Sequence, residues 1–517
     1  MRSGRTSRRE ARPAGPAGRA DRIVSGGSRP VRRLRWKGWV LMGLPIISFL
    51  LHGCGGAVTF PDEPIVTTPA LAGYDTDGDS AADFFCLFDE SGRIDRIGYD
   101  RDGDGEPDRI VHLRAIDPRL CRHLVVVLDG IPFDVVKEFY ESGQLRLFDP
   151  PAVVIPPYPV MTDLALEDAF GYMPCTGYEA KYYSHSRKRI VGGTGDYLAG
   201  KNEPFVNVID YRGPALDDGL AYLRPKRLFQ GELNKVKRLW DRRERMEVLT
   251  YLVSTAGLGS RMGKEGQLYA LRQCQRLALQ ILYESGGLVK FTFFADHGQT
   301  NVPCKPAGLK KHLKEKGWRL VDRVRGDNDV AMVKFGLVTY AALNARKVAR
   351  LTGDLLESDA VELVSYAEGD AVVVVGRDGQ ARIRSSDGKT FQYSPVEGDP
   401  LKLAELASGG VDGRSLLKAT SDGRHQYPDA LYRLWRAHFA GAENVPDVIV
   451  SLDDRYYNGS GFFAGAVKMA STHGGLNWRN SATFIMSTAG QIKGPLRSED
   501  IPGVMQKLFG RPFPARR

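Results

Sequence analysis

Three things are scarce in this 517-residue chain. The first is cysteine: six residues at irregular spacing, with no CxxC pair, exclude a zinc ribbon and a disulfide framework. Beyond Cys54 an odd five remain, Cys86, Cys121, Cys175, Cys274 and Cys304. One or two bridges stay open in an exported chain, and their pairing is not readable from spacing. The second is a long apolar run. The stretch 39–51 is the only candidate and is shorter than the about 20 residues a membrane-spanning helix needs. The third is an excess of one charge. The formal +10 comes from residues 1–53, where twelve Lys and Arg face only Glu10 and Asp21; residues 54–517 hold 60 basic and 60 acidic side chains. Overall charge therefore carries no nucleic-acid-binding signal. No solenoid repeat is present either.

The N-terminus reads as targeting rather than fold. Arg32, Arg33, Arg35 and Lys37 precede the apolar run, which closes on Leu51-His52-Gly53-Cys54. This resembles a bacterial lipobox, with cleavage before Cys54 and lipid on its thiol; an uncleaved signal anchor is the other reading. The expectation is a signal peptide over 1–53, a Pro/Thr/Gly-rich tether over 54–73, and an exported cell-envelope lipoprotein held to a membrane by its lipid, at the outer membrane or periplasmic face.

An Asp-rich module follows over 74–115. Asp75, Asp77, Asp79 and Asp83 are echoed 25 residues later by Asp100, Asp102, Asp104 and Asp108. Carboxylates at positions 1, 3, 5 and 9 of a glycine-bent loop are hard oxygen donors suited to Ca²⁺. The bidentate Glu of an EF-hand is missing, since Cys86 and Val111 stand at position 12. The alternative is a pair of acidic turns in a β-hairpin module cored by Phe84, Phe85 and Ile97.

From residue 123 to 517 apolar strands alternate with amphipathic stretches, an α/β pattern. Strands are expected at 124–128, 247–253, 289–295, 448–452 and 482–486. Helices are expected at 132–142, 164–171, 228–246 and 266–285. Residues 361–395 alternate around Asp-Gly turns and read as a β-rich insertion.

Four places carry chemistry. Asp296-His297-Gly298 ends the strand-like run 291–295, and Asp129-Gly130 ends 125–128. Ligand sites in open α/β sheets lie at that edge. Thr162 leads from a Pro-rich segment into a helix, where it suits an N-cap or a nucleophile beside free backbone N–H groups. His473 sits in the Gly-rich segment Ser471-Thr472-His473-Gly474-Gly475, either as a ligand or as a structural hydrogen-bonding group.

In this order the segments resemble the alkaline phosphatase superfamily, in particular its type I phosphodiesterase/nucleotide pyrophosphatase branch, over about residues 123–517. The resemblance implies an alkaline-phosphatase-like central sheet flanked by helices. It implies that Asp129, Thr162, Asp296 and His297 form one site for a divalent transition metal, Zn or Mn, with Thr162 as the nucleophile on a phosphodiester or phosphorylated small molecule. His473 would belong to a second metal site.

That second site is where the chain departs from the pattern. Registered on Gly259 and Gly263, Ala256 stands where an Asp is expected and Ser260 where a His is expected. Neither replaces the lost ligand. One metal is therefore expected, with Arg261 or His473 taking part of the missing charge, as in the single-metal phosphoglycerol transferases of the lipoteichoic-acid synthase type. The competing reading is a degenerate member that binds a phosphorylated ligand or a protein partner without turnover. No Cys/Ser-x-Pro-x-Arg segment supports a sulfatase. Phe133, Tyr158 and Tyr178 are open between base stacking and core packing.

Overall fold

The computed structural model describes residues 57–171, 175–199, 204–214, 224–459 and 468–515. The expected signal peptide over 1–53 and Cys54 lie outside these residues. All described residues belong to one unit spanning 54–517. Mixed α/β architecture is observed, organised around two large sheets and a smaller N-terminal one.

The central sheet has seven strands. Across it run Tyr211–Arg212, Glu247–Leu252, Arg122–Leu128, Val289–Ala295, Thr483–Ser487, Ala152–Ile155 and Leu496–Arg497. All are parallel except Thr483–Ser487, which is antiparallel to both neighbours. Strands of such a sheet are covered on both faces and read as unbroken apolar runs. Phe291, Phe293 and Phe294 accordingly have no exposed surface. The covering helices include Phe133–Glu141, Pro225–Asp241 and Lys264–Glu284, near their expected places. A further helix, Ser254–Met262, was not expected, because Gly257 and Gly259 depress its helical propensity. Packing against Lys264–Glu284 and Pro225–Asp241 holds it.

The strand Val448–Leu452 is not part of this sheet. It pairs with Tyr340–Ala345 and Val361–Glu368 in a second, nine-stranded sheet. An apolar run buried on both faces looks the same whichever sheet receives it, so periodicity cannot place it. The expected insertion over 361–395 is the outer part of this second sheet, continuing through Ala371–Gly376, Gly379–Arg384 and Thr390–Gly398 to Val411–Asp412.

The N-terminal module is a five-stranded antiparallel meander from Val66–Thr67 to Arg109–His112. Each Asp-rich segment is the turn of a hairpin, and both turns fall at the same end of the sheet. Phe84, Phe85 and Ile97 are buried as expected, and Phe84 and Ile97 join one core with Leu124, Leu279 and Phe291. Residues 57–73 differ from the expected free tether. Val58 and Phe60 are buried, and the amides of Thr59 and Phe60 donate to Gln280 Oε1 at 2.9 and 3.3 Å. Two apolar side chains among prolines and threonines are enough to dock the segment. The five cysteines are free thiols. No helix among the described residues is long and apolar enough to cross a membrane.

Candidate metal centre

Strands Arg122–Leu128 and Val289–Ala295 are parallel neighbours with Leu128 opposite Ala295, so Asp129 and Asp296 leave the same sheet edge side by side. Gly130 turns the chain there at φ +68°, and a Cβ at that position would sit 2.9 Å from Gln299 Nε2. The turn aims the Gly130 amide at Asp296 Oδ1 (3.0 Å), which also accepts from the His297 amide (2.9 Å). Asp296 Oδ2 has no hydrogen-bond partner among the described residues. The Asp129 carboxylate accepts at Oδ2 from the Tyr251 hydroxyl, and its backbone carbonyl accepts from Thr255 Oγ1 at 2.8 Å.

His297 is fully buried and completes the group. Its Nδ1 donates to the Gly298 carbonyl at 2.9 Å, which leaves the lone pair on Nε2. That atom lies 3.4 Å from Asp296 Oδ2, 3.7 Å from Asp129 Oδ1 and 3.3 Å from Thr162 Oγ1. Gly298 allows the close packing: a Cβ would come within 2.8 Å of the Arg479 and Ala482 carbonyl oxygens. Burial pushes Asp296 up to about 6 against the pull of the Gly130 amide and the Thr162 hydroxyl, and burial lowers His297 to about 4.

Two carboxylates and a neutral imidazole, all buried, face one another. Without a cation such a set is costly; with one, each donor is satisfied. The three residues offer ligand atoms within 4.8 Å of one another and could hold a metal ion.

Thr162 opens the helix Thr162–Phe170. It is not the N-cap: Met161 occupies that place in extended conformation, and no side chain caps the helix. Its hydroxyl is thus turned to the carboxylate–imidazole group instead of the helix backbone. His473 stacks on His297 with ring centres 3.8 Å apart and 17° between planes. Its Nδ1 donates to the Val160 carbonyl at 2.8 Å, and burial lowers it to about 3. His473 therefore stands at the site, yet outside the three-residue ligand group. Gly474, at φ +130°, fits against the Thr339 amide where a Cβ would come within 3.0 Å.

These groups open into a pocket of about 170 Å³ lined by Asp129, Thr162, Tyr251, Ala256 and His473. Ala256 contributes only a methyl group. Ser260 is buried and does not line the pocket, and Arg261 is exposed, donating to the Lys468 carbonyl at 3.3 Å. The expectation that Arg261 contributes charge here is corrected: its helix turns it outward. Tyr158 and Tyr178 are core residues, and Phe133 packs edge-on against Trp478. The pocket's aromatic wall is instead Tyr197, Phe205 and Phe335. Arg212, Tyr251 and Glu179 also line it and were not foreseen; Tyr251 lies in an apolar strand that reads as core. A larger cavity, about 490 Å³, opens between the N-terminal sheet and helix Lys264–Glu284 and holds none of these groups.

In the Asp-rich turns the structure gathers Asp75, Asp77 and Asp79 in one group and Asp100, Asp102 and Asp108 in the other. Asp83 and Asp104 fall outside them. Asp83 is engaged by the amide and hydroxyl of Thr76, and Asp104 accepts from the Glu106 amide at 2.9 Å.

The helix that presents Thr162 also buries Glu167, whose carboxylate has the Cys175 thiol beside it. Burial pushes its pKa up from 4.5 to about 7, opposed by the nearby Cys175 thiol. An acid whose pKa is raised by folding binds its proton more tightly in the native state, so stability falls as pH rises from 4.5 through 7. Glu167→Gln cannot ionise. It is expected to melt well above the wild type at pH 8 and close to it at pH 5, and an equal gap at both values would contradict this account.

No family model matches the chain, and no curated protein matches it.

Proposed function

We propose that the chain is an exported, lipid-anchored phosphoric-ester hydrolase of the alkaline phosphatase superfamily type, working with one divalent transition metal, Zn or Mn. Asp129, Asp296 and His297 hold the metal, Thr162 is the nucleophile, and Cys54 carries the lipid. The observation that carries this reading is the Thr162 hydroxyl, unused in capping, 3.3 Å from the inward-facing Nε2 of His297 at the mouth of a buried carboxylate–imidazole group.

Bound there, a divalent cation supplies the charge that favours an ionised threonine oxygen. The protein supplies the rest. The first turn of the Thr162 helix presents backbone N–H groups to a phosphoryl group. Gly130 and the Tyr251 hydroxyl fix the two carboxylates in orientation. Thr162 Oγ1 would form the new bond to phosphorus as the P–O bond to the leaving group breaks, its proton ending on the departing alcohol; water then adds to phosphorus, gives a proton back to Thr162 Oγ1 and releases the phosphate. Hydrolysis of bis(p-nitrophenyl) phosphate by the Zn- or Mn-loaded chain, lost on chelation and restored by metal, is the expected result. A metal-loaded chain inert on phosphate diesters and monoesters would sink the enzymatic reading.

Ala256 favours the second reading, a member that binds a phosphorylated ligand or a protein partner without turnover, because a methyl group lines the pocket where the family pattern expects a metal-binding Asp. Metal binding with no hydrolysis would select it.

The two Asp-rich turns are proposed to bind Ca²⁺. Calcium should then raise the melting temperature, with the effect reduced by Asp75→Asn and Asp100→Asn; no shift at millimolar Ca²⁺ would count against it.

A further inference from the structure

Helix Lys264–Glu284 packs on the central sheet through an apolar stripe in which Ala270, Leu271, Cys274, Leu277, Ala278 and Ile281 are buried. Gln267 opens that stripe, at helical spacing from Ala270, Leu271 and Cys274, and has no exposed surface. A primary amide placed there loses its water, which costs stability unless its polar atoms find partners. The partners it finds all belong to segments that carry the metal-centre residues.

Gln267 Nε2 donates to the Gly130 carbonyl at 3.3 Å and to Gln299 Oε1 at 3.1 Å, so both of its protons are used. Gln267 Oε1 accepts from Asn301 Nδ2 at 2.9 Å. The Asn301 backbone amide donates in turn to Ser471 Oγ at 2.8 Å, two residues before His473. One helix side chain thus ties together the turn after Asp129, the segment after His297 and the loop that holds His473. Two glycines make room for the tie. A Cβ on Gly259, in the helix Ser254–Met262, would overlap Gln299 Oε1 and stand 3.1 Å from Gln267 Nε2; one on Gly130 would press on Gln299 Nε2.

The tie reaches the carboxylates through Gly130. Glycine is the residue least restrained by its own sterics, so a turn built on it takes its orientation from outside bonds. Gln267 holds the Gly130 carbonyl, and the Gly130 amide holds Asp296 Oδ1 at 3.0 Å. With Oδ1 fixed, Oδ2 faces His297 Nε2 at 3.4 Å.

We propose that Gln267 is a positioning residue of the metal centre. Its buried amide sets the Gly130 turn, and through it the orientation of Asp296, so that the ligand set is formed before the cation arrives. The proposal rests on Asp129, Asp296 and His297 being a metal site and adds the residue that pre-forms it. Gln267 does not line the pocket and acts only through other groups. Such groups govern metal affinity because a ligand free to turn must be ordered when the ion binds.

Zinc binding to the full chain, measured by competition with a chromophoric chelator, tests the assignment. Gln267→Leu, close in volume and without the amide, is expected to bind zinc about 10- to 100-fold more weakly than the wild type. Ile281→Ala, on the same stripe but about four turns away, should lower the melting temperature and leave zinc affinity unchanged. Asn301→Gly removes one partner of Gln267 and suits the backbone there (φ +51°), so it serves if Gln267→Leu fails to fold. It should weaken zinc binding about 3- to 10-fold. Wild-type affinity in Gln267→Leu or in Asn301→Gly, or an equal loss in Ile281→Ala, would overturn the positioning role and leave the metal centre standing. A wild-type chain that binds no zinc would overturn both.

Discussion

Thr162→Ala is expected to remove ester hydrolysis by ~10³-fold or more while leaving the metal and the fold in place. The argument is geometric. Thr162 is the first residue of its helix, Met161 takes the capping position, and the hydroxyl makes no capping bond. Deleting it therefore removes no helix-stabilising contact, and the variant should melt within about 1 kcal/mol of the wild type. What disappears is the oxygen 3.3 Å from His297 Nε2. Thr162→Ser keeps that oxygen and should retain measurable turnover. Steady-state rates on bis(p-nitrophenyl) phosphate, with metal analysis of each variant, decide the point. Comparable rates for Thr162→Ala and the wild type would eliminate Thr162 as the nucleophile.

Asp296→Asn should take the chain from one bound transition-metal equivalent to none. The substitution preserves the shape of the side chain and an acceptor for the Gly130 and His297 amides, which Oδ1 now receives at 3.0 and 2.9 Å. It removes the negative charge and turns the position of Oδ2 from a donor to the metal into a possible NH₂. Loss of a charged ligand from a three-residue set leaves Asp129 and His297, too few to hold a divalent ion against a chelator. The same change relieves the cost of a second buried carboxylate, so the metal-free variant should be no less stable than the metal-free wild type. Metal analysis after dialysis against a weak chelator tests this. Retention of one equivalent would move the ligand set elsewhere, and two equivalents in the wild type would refute the single-site expectation.

Much of this site was legible because its residues sit at the ends of long apolar strands. Leu124 to Leu128 and Phe291 to Ala295 announce themselves by composition, and a carboxylate just past a parallel strand has only one edge to occupy. The site's opposite wall was not legible. Arg212 lies in a two-residue strand between irregular segments, and no periodicity marks it; only pairing with Tyr251 gives it a direction. Arg261 was the reverse case: close to the expected motif in sequence, yet on the outward face of its helix. Val448–Leu452 shows the same limit at the level of the fold, since burial alone says strand without saying which sheet. Residues 57–73 show it for composition: prolines and threonines suggest a linker, and two buried side chains make it part of the body.

The one reversed strand of the central sheet has a consequence for distance. Thr483–Ser487 lies between Val289–Ala295, which delivers Asp296, and Ala152–Ile155, which leads to Thr162. With neighbouring strands about 4.8 Å apart, the nucleophile's strand ends roughly 10 Å from the strand it must serve. Residues 156–161 have to cross that gap sideways, and at about 3.3 Å per extended residue they reach up to roughly 20 Å, about twice the gap, before the chain turns into the helix. Length alone therefore does not place the hydroxyl beside His297; Pro156, Pro157 and Pro159, each with φ locked by its ring, restrict the path that the spare chain can take.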